Sequence, residues 1–131
     1  RFNPSIRKAK ALVEAGEIGD LGYLHADFAF YALDRPEDGR LLNPELGGGS
    51  LLDIGIYPIF LSYLFLGMPE NIKTSSKFYK TGVEVQTSMI FEYPKAQARV
   101  IHLKKGMKQI MLNYLRPVLV IPMKWRKYIL V

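Results

Sequence analysis

From Ser50 to Leu66 the chain reads SLLDIGIYPIFLSYLFL, apolar almost throughout, with one carboxylate, Asp53, and one proline, Pro58, set inside it. Closed by Gly67, this run is predicted to be the central buried helix, around which the other elements have to form a covering layer. Pro58 cannot donate to the carbonyl of Ile54 and crowds it, so a kink, or a first turn distorted around Asp53–Tyr57, is expected. Phe60, Tyr63 and Phe65 are read as core.

The segments on either side carry clearer periodicities. Asn3 as a cap, Pro4 at the first helical position and Gly16 after the last turn predict an amphipathic helix from Pro4 to Ala15, with Ile6, Ala9, Leu12 and Val13 on one face. LGYLHADFAFY then alternates at period two: Leu24, Ala26, Phe28 and Phe30 make an apolar face, and Tyr23, His25, Asp27 and Ala29 a mixed one. Ala32 to Gly49 is a long loop, of a length that is usually functional or disordered. Beyond Pro69, three β-rich stretches are separated by the turn signals Thr81-Gly82 and Pro94-Lys95, which predicts a largely antiparallel arrangement. VLVIPMKWRKYILV reads as one or two more strands, whereas GMKQIMLNYLRP fits neither template.

Size bounds the rest. A chain of 131 residues with 49% hydrophobic and 23% charged residues is expected to form one domain, 1–131, of ordinary globular composition. No apolar run reaches the roughly 20 uncharged residues of a membrane span, so no membrane partner is expected and the cytoplasm is the default location. The absence of cysteine removes disulfides, thiolate metal sites and cysteine nucleophiles. Charge is uneven: residues 1–94 hold nine Lys/Arg against twelve acids, while residues 95–131 hold nine Lys/Arg and no acid. These basic residues are interleaved with aliphatics, which favours a solvated strand face over a nucleic-acid partner. The chain opens on Arg1, not methionine, so a piece of a longer protein is expected.

Few side chains offer chemistry. Gly47, Gly48 and Gly49 permit unusual backbone angles and a close approach to a ligand, but no G-x-G-x-x-G fingerprint follows a strand. Asp53 and Tyr57, four apart, share a helix face in apolar surroundings. A carboxylate there has to be paired or line a cavity. A tyrosine hydroxyl beside it could exchange a proton with a substrate oxygen, given a nearby cation to bring such a group into range. Spacing alone favours the structural alternative, in which Asp53 caps the helix and Tyr57 buries its ring. His25 and His102 lie far apart and are read as satisfied strand histidines, so no metal site is expected. Arg35 and Arg40 either reach an anionic group or pair with Glu37 and Asp38, and Trp125 is read as a core or interface aromatic.

RFNP, AGEIGDLG and, above all, RLLNPELGGGSLLDIGIYPIFLSYLFLGMPE together resemble the Gfo/Idh/MocA oxidoreductases, over Arg1 to about Val100. The nearest branch is that of glucose–fructose oxidoreductase, dimeric dihydrodiol dehydrogenase and xylose dehydrogenase. The resemblance implies an α+β fold: an open, mainly antiparallel sheet with helices on one face and the other face free to pair copies into a homo-oligomer. It implies that this chain is the substrate and dimerisation domain, with no Rossmann domain of its own.

By the same resemblance Tyr57 is the proton donor or acceptor at the carbinol oxygen, and Asp53 orients substrate or tyrosine. Gly48, Gly49 and Arg40 shape the pocket wall. A tyrosine at position 57, where other branches carry histidine, points to sugar or cyclic CH–OH substrates. NAD or NADP serves the intact family, but its fingerprint and the lysine of its Glu-Lys-Pro motif are not in this chain, so the isolated chain is expected to be inactive and to bind no cofactor. A non-catalytic dimerisation or regulatory module is the alternative. Residues 101–117 depart from the family's strand–glycine-turn–strand pattern, and IPMKW returns to it.

Overall fold

The computed structural model describes residues 3–104 and 129–130. The readings made for GMKQIMLNYLRP, Trp125 and most of the C-terminal strands therefore lie outside the described residues. The order is α1 (Pro4–Glu14), β1 (Tyr23–Ala29), a 3-10 turn (Pro44–Leu46), a π-helical turn (Leu51–Gly55), α2 (Ile56–Leu66), β2 (Asn71–Phe78), β3 (Glu84–Glu92), β4 (Gln97–Leu103) and β5 (Ile129–Leu130).

α1 follows its punctuation. The Asn3 side chain accepts from the Ser5 amide, Pro4 opens the helix, and Lys10 pairs with Glu14 one turn on. The strands are ordered β2-β3-β4-β1-β5. β2, β3 and β4 form the antiparallel meander that their turn signals predict. β1 departs from that pattern: it lies parallel to β4, Tyr23 opposite Gln97 through Ala29 opposite Leu103, so the sheet is mixed. A parallel pair needs a long crossover, and the stretch through the loop, α2, β2 and β3 supplies it.

Alternation decides which face is covered. In β3 Val85, Thr87, Met89 and Phe91 are buried, while Ile90 sits exposed on the other face. Leu24, Ala26, Met89, Phe91, Ala98 and Val100 form the main core, closed by Ile59, Leu61, Phe65 and Leu66 of α2. A smaller cluster of Leu42, Val83 and Val85, with Leu33 and Leu41 packed on it, anchors the long loop.

One expectation is met in a specific form here, and another changes. The proline strain is taken up by a π-helical turn ahead of α2: the Ile56 amide reaches back to the Leu51 carbonyl, and Pro58 falls in the first turn of α2, where no donor is required. Further, α2 is not buried all round. Ile56, Phe60 and Tyr63 are exposed, because the helix lies on one side of the sheet and, among the described residues, nothing covers its outer side. The span Pro44–Leu66 is long and apolar enough, by length and composition, to cross a membrane. In this fold it lies against β1 and β4 as a core helix.

Leu24→Ala is expected to lower unfolding stability by about 2–5 kcal/mol, and Leu46→Ala, at an exposed position, by no more than about 0.5 kcal/mol. Urea denaturation of the two variants checks this assignment of the core.

Candidate functional site

The segment from Gly49 to Gly55 is held at nearly every residue by the start of β3 and the end of β4. The carbonyl of Gly49 accepts from Lys104 Nζ at 2.7 Å. Ser50 Oγ lies 2.8 Å from His102 Nδ1, both wholly buried. The Leu51 amide donates to Glu84 Oε1 at 2.6 Å, so a carboxylate occupies the start of the helical run. Asp53 takes two cations: Arg40 Nη2 at 3.0 Å on Oδ1 and Lys104 Nζ at 3.2 Å on Oδ2. Gly55 lies against the His102 ring so closely that a Cβ there would fall 2.8 Å from Cδ2.

His102 on β4 and Lys104, the first residue past its end, continue the buried series Ala98, Val100. This alternation brings a histidine and an ammonium under the helix start. The Lys104 side chain is 0% exposed. Its ammonium also reaches the Leu41 carbonyl at 3.3 Å, which gives it three acceptors.

Asp53 therefore does not cap the helix. That part falls to Glu84, and Asp53 is the centre of an ion-pair cluster. Partial burial pushes its carboxyl up, but hydrogen bonds and charge from Arg40 and Lys104 outweigh this and hold it below the ordinary 3.8. Arg40 is found on Asp53, not on Glu37 or Asp38, and Glu37 pairs with Lys80 instead.

Tyr57 stands apart from the cluster, 57% exposed, its ring tilted against Phe28 with centroids 5.5 Å apart. It lines a hollow of about 230 Å³ with Ile6, Phe28, Pro58 and Leu61. Phe28 follows Leu24 and Ala26 in the same alternation but lies near the end of β1, where it is exposed and lines this hollow.

The glycines serve geometry. Gly47 and Gly49 have φ of 68° and 116°, in the left-handed region. A Cβ on Gly48 would fall 2.6 Å from the Asn43 carbonyl oxygen. The amides of Gly47, Gly48 and Gly49 are bonded to the carbonyls of Pro44, Asn43 and Leu41. With Glu84 on the Leu51 amide, a carboxylate already stands where an anionic pyrophosphate would have to lie, and the loop's contribution is the shape of a wall.

Glu84, His102 and Lys104 were not singled out as functional from sequence. The signal was the alternating β4 run ending His-x-Lys, together with a lone carboxylate in an apolar helix that required a cation.

His102 yields a pH prediction. Burial lowers its basicity most; Glu84 acts against this and Lys104 with it, and the result is a folded-state value below the ordinary 6.5. The unfolded chain then binds the proton more readily, so this contribution to stability is full above about pH 6.5 and is lost as pH falls below it. Thermal melts are expected to show the decline between about pH 7 and 5 in the native protein and to flatten in His102→Gln. Gly55→Ala is expected to cost about 1–3 kcal/mol by overpacking against the imidazole, read by denaturant titration.

With the geometry established, comparison with known proteins places the chain. The profile of the GFO/IDH/MocA C-terminal domain matches residues 6–106. The chain is 36% identical over 102 residues to D-xylose 1-dehydrogenase (NADP(+)) 2 of Haloferax volcanii, a match covering 76% of this chain and 31% of that protein. It is 34% identical over 103 residues to trans-1,2-dihydrobenzene-1,2-diol dehydrogenase of Xenopus tropicalis, covering 77% and 30%. The crystal structure of aldose-aldose oxidoreductase from Caulobacter crescentus, complexed with glycerol, superposes with a TM-score of 0.72 at 26% identity, covering 79% of this chain and 33% of that one. The chain thus spans about a third of the length of these relatives. On the match across residues 6–106, it belongs to the GFO/IDH/MocA family, as the C-terminal domain.

Proposed function

We propose that this chain forms the substrate side of an NAD(P)-dependent oxidoreductase acting on sugar or cyclic CH–OH groups. Tyr57 exchanges the hydroxyl proton, Asp53 orders the site, and Gly48, Gly49 and Arg40 shape its wall. The observation that carries this reading is the division between the two residues of the pair. Asp53 is ion-paired beneath the helix start, while Tyr57 presents its ring beside an open hollow. A substrate hydroxyl seated there would meet a phenol on a rigid helix, with Phe28 and Pro58 offering apolar contact to ring carbons. The relatives named for xylose and dihydrodiol oxidation support the substrate class.

NAD or NADP would supply the hydride acceptor or donor. Because the glycine-loop amides are committed internally, we assign the cofactor to the remainder of a longer protein and expect none on this chain alone. The exposed apolar side of the α2 region, with Leu52, Ile56, Phe60 and Tyr63, suits contact with such a remainder. The face of the sheet that no described residue covers, where Ser88, Ile90 and Arg99 line a hollow of about 310 Å³, is the surface through which copies would pair.

The test is NADP+ reduction with D-xylose and cyclic diols, by the isolated chain and by the chain joined to the cofactor-binding half of a GFO/IDH/MocA dehydrogenase. The joined protein is expected to turn over, and Tyr57→Phe to lose about 100- to 10,000-fold in kcat/KM. The isolated chain is expected to show neither turnover nor micromolar cofactor binding by calorimetry. A joined protein that folds and binds NADP+ but oxidises none of these alcohols would favour a non-catalytic dimerisation module.

A further inference from the structure

We propose that Lys104 is the positioning residue of this site: its buried ammonium fixes Asp53 as a permanent anion, so that Tyr57 alone of the pair exchanges a proton. The inference rests on the functional reading above and adds a residue and a division of labour to it.

The backbone of Lys104 is pinned on both sides. Its amide donates to the Val85 carbonyl at 2.7 Å, and its carbonyl accepts from the Ala32 amide at 3.1 Å. A side chain leaving β4 from this point has its direction set by the sheet. The ammonium has three protons and meets three oxygens, of Gly49, Asp53 and Leu41, at 2.7, 3.2 and 3.3 Å. It has no donor left for a substrate and no exposed surface to reach one, so it acts through Asp53 and not on the reacting atoms.

Arg40 differs. It holds the other oxygen of Asp53 from a side chain 66% exposed, where water screens the pair and a ligand could displace it. Glu84, on β3, is the remaining charge near the helix start, and it is engaged by the Leu51 amide. Arg40 and Lys104 therefore answer Asp53 unequally. The exposed arginine is exchangeable, and the buried lysine locks the carboxylate-bearing turn to Gly49 at the helix start and to Leu41 in the loop. Since Tyr57 lies one helical turn beyond Asp53, that lock also sets where the phenol stands.

Two measurements on the full 131-residue chain test this without turnover, so their failure is distinct from a failure of dehydrogenase activity. In the native protein, reductive methylation followed by peptide mass mapping is expected to modify Lys73, Lys77 and Lys80 and to leave Lys104 unmodified until the chain unfolds. Modification of Lys104 at the rate of the exposed lysines would overturn the proposal. Carbon-13 NMR titration of labelled aspartates is expected to show Asp53 ionised below the usual carboxylate range. Lys104→Met is expected to raise that midpoint by one pH unit or more, Arg40→Gln by less, and Lys104→Arg to restore part of the shift. An Asp53 midpoint equal in the native and Lys104→Met proteins would also overturn it. Should Lys104→Met not fold, methylation and the native Asp53 midpoint decide the matter alone.

Discussion

A buried ammonium has to be answered by oxygen on every side, and this requirement organises the upper part of the molecule. Lys104 collects the carbonyls of Leu41 and Gly49 and the carboxylate of Asp53, so one charge ties the long loop, the glycine turn and the π-helical turn to the end of β4. Removing Asp53 would leave this wholly buried ammonium without a counter-charge, which is far more costly than the pair is favourable. The arrangement therefore defines a geometry more than it adds stability. Glu84 and His102 extend it, one by taking the amide at the helix start and the other by holding Ser50 and lying against Gly55.

Pro58 and the π-helical turn follow from the same local demand. An α-helical continuation from Ser50 would need a donor that Pro58 lacks, and widening one turn removes that need. The wider turn places Asp53 over the sheet, within reach of Lys104, while Tyr57 and Phe28 meet outside it. Gly55 is the residue that lets this turn approach the His102 ring. The segment that most constrains the fold also carries the candidate chemistry.

Much of this was legible in the sequence, and the exceptions have physical causes. α1, the alternation of β1 and β3, the antiparallel meander and the disturbed turn before α2 all follow from local pattern. Asp53 and Tyr57 could be singled out because polar groups in an apolar run need a reason. What local pattern could not supply was pairing across the chain. Nothing in residues 23–29 reveals that their neighbour is β4, 74 positions later and parallel. For the same reason Lys104 could not be assigned to Asp53, since it meets it only once the sheet is assembled. Phe60 and Tyr63 look like core by composition, yet among the described residues nothing covers them, and they face outward.

That long-range partnership shapes how the chain comes together. β2, β3 and β4 close through short turns and can form as soon as they are made, whereas β1 has to wait for β4 before either of its edges finds a strand. On a ribosome β1 would emerge early and stay unpaired through the synthesis of the loop, α2 and two further strands. In that interval its alternating apolar face and open backbone are exposed to other chains. The step that shelters β1 is also the one that brings His102 and Lys104 beneath the helix start. Escape from aggregation and assembly of the candidate site are thus one late event in folding.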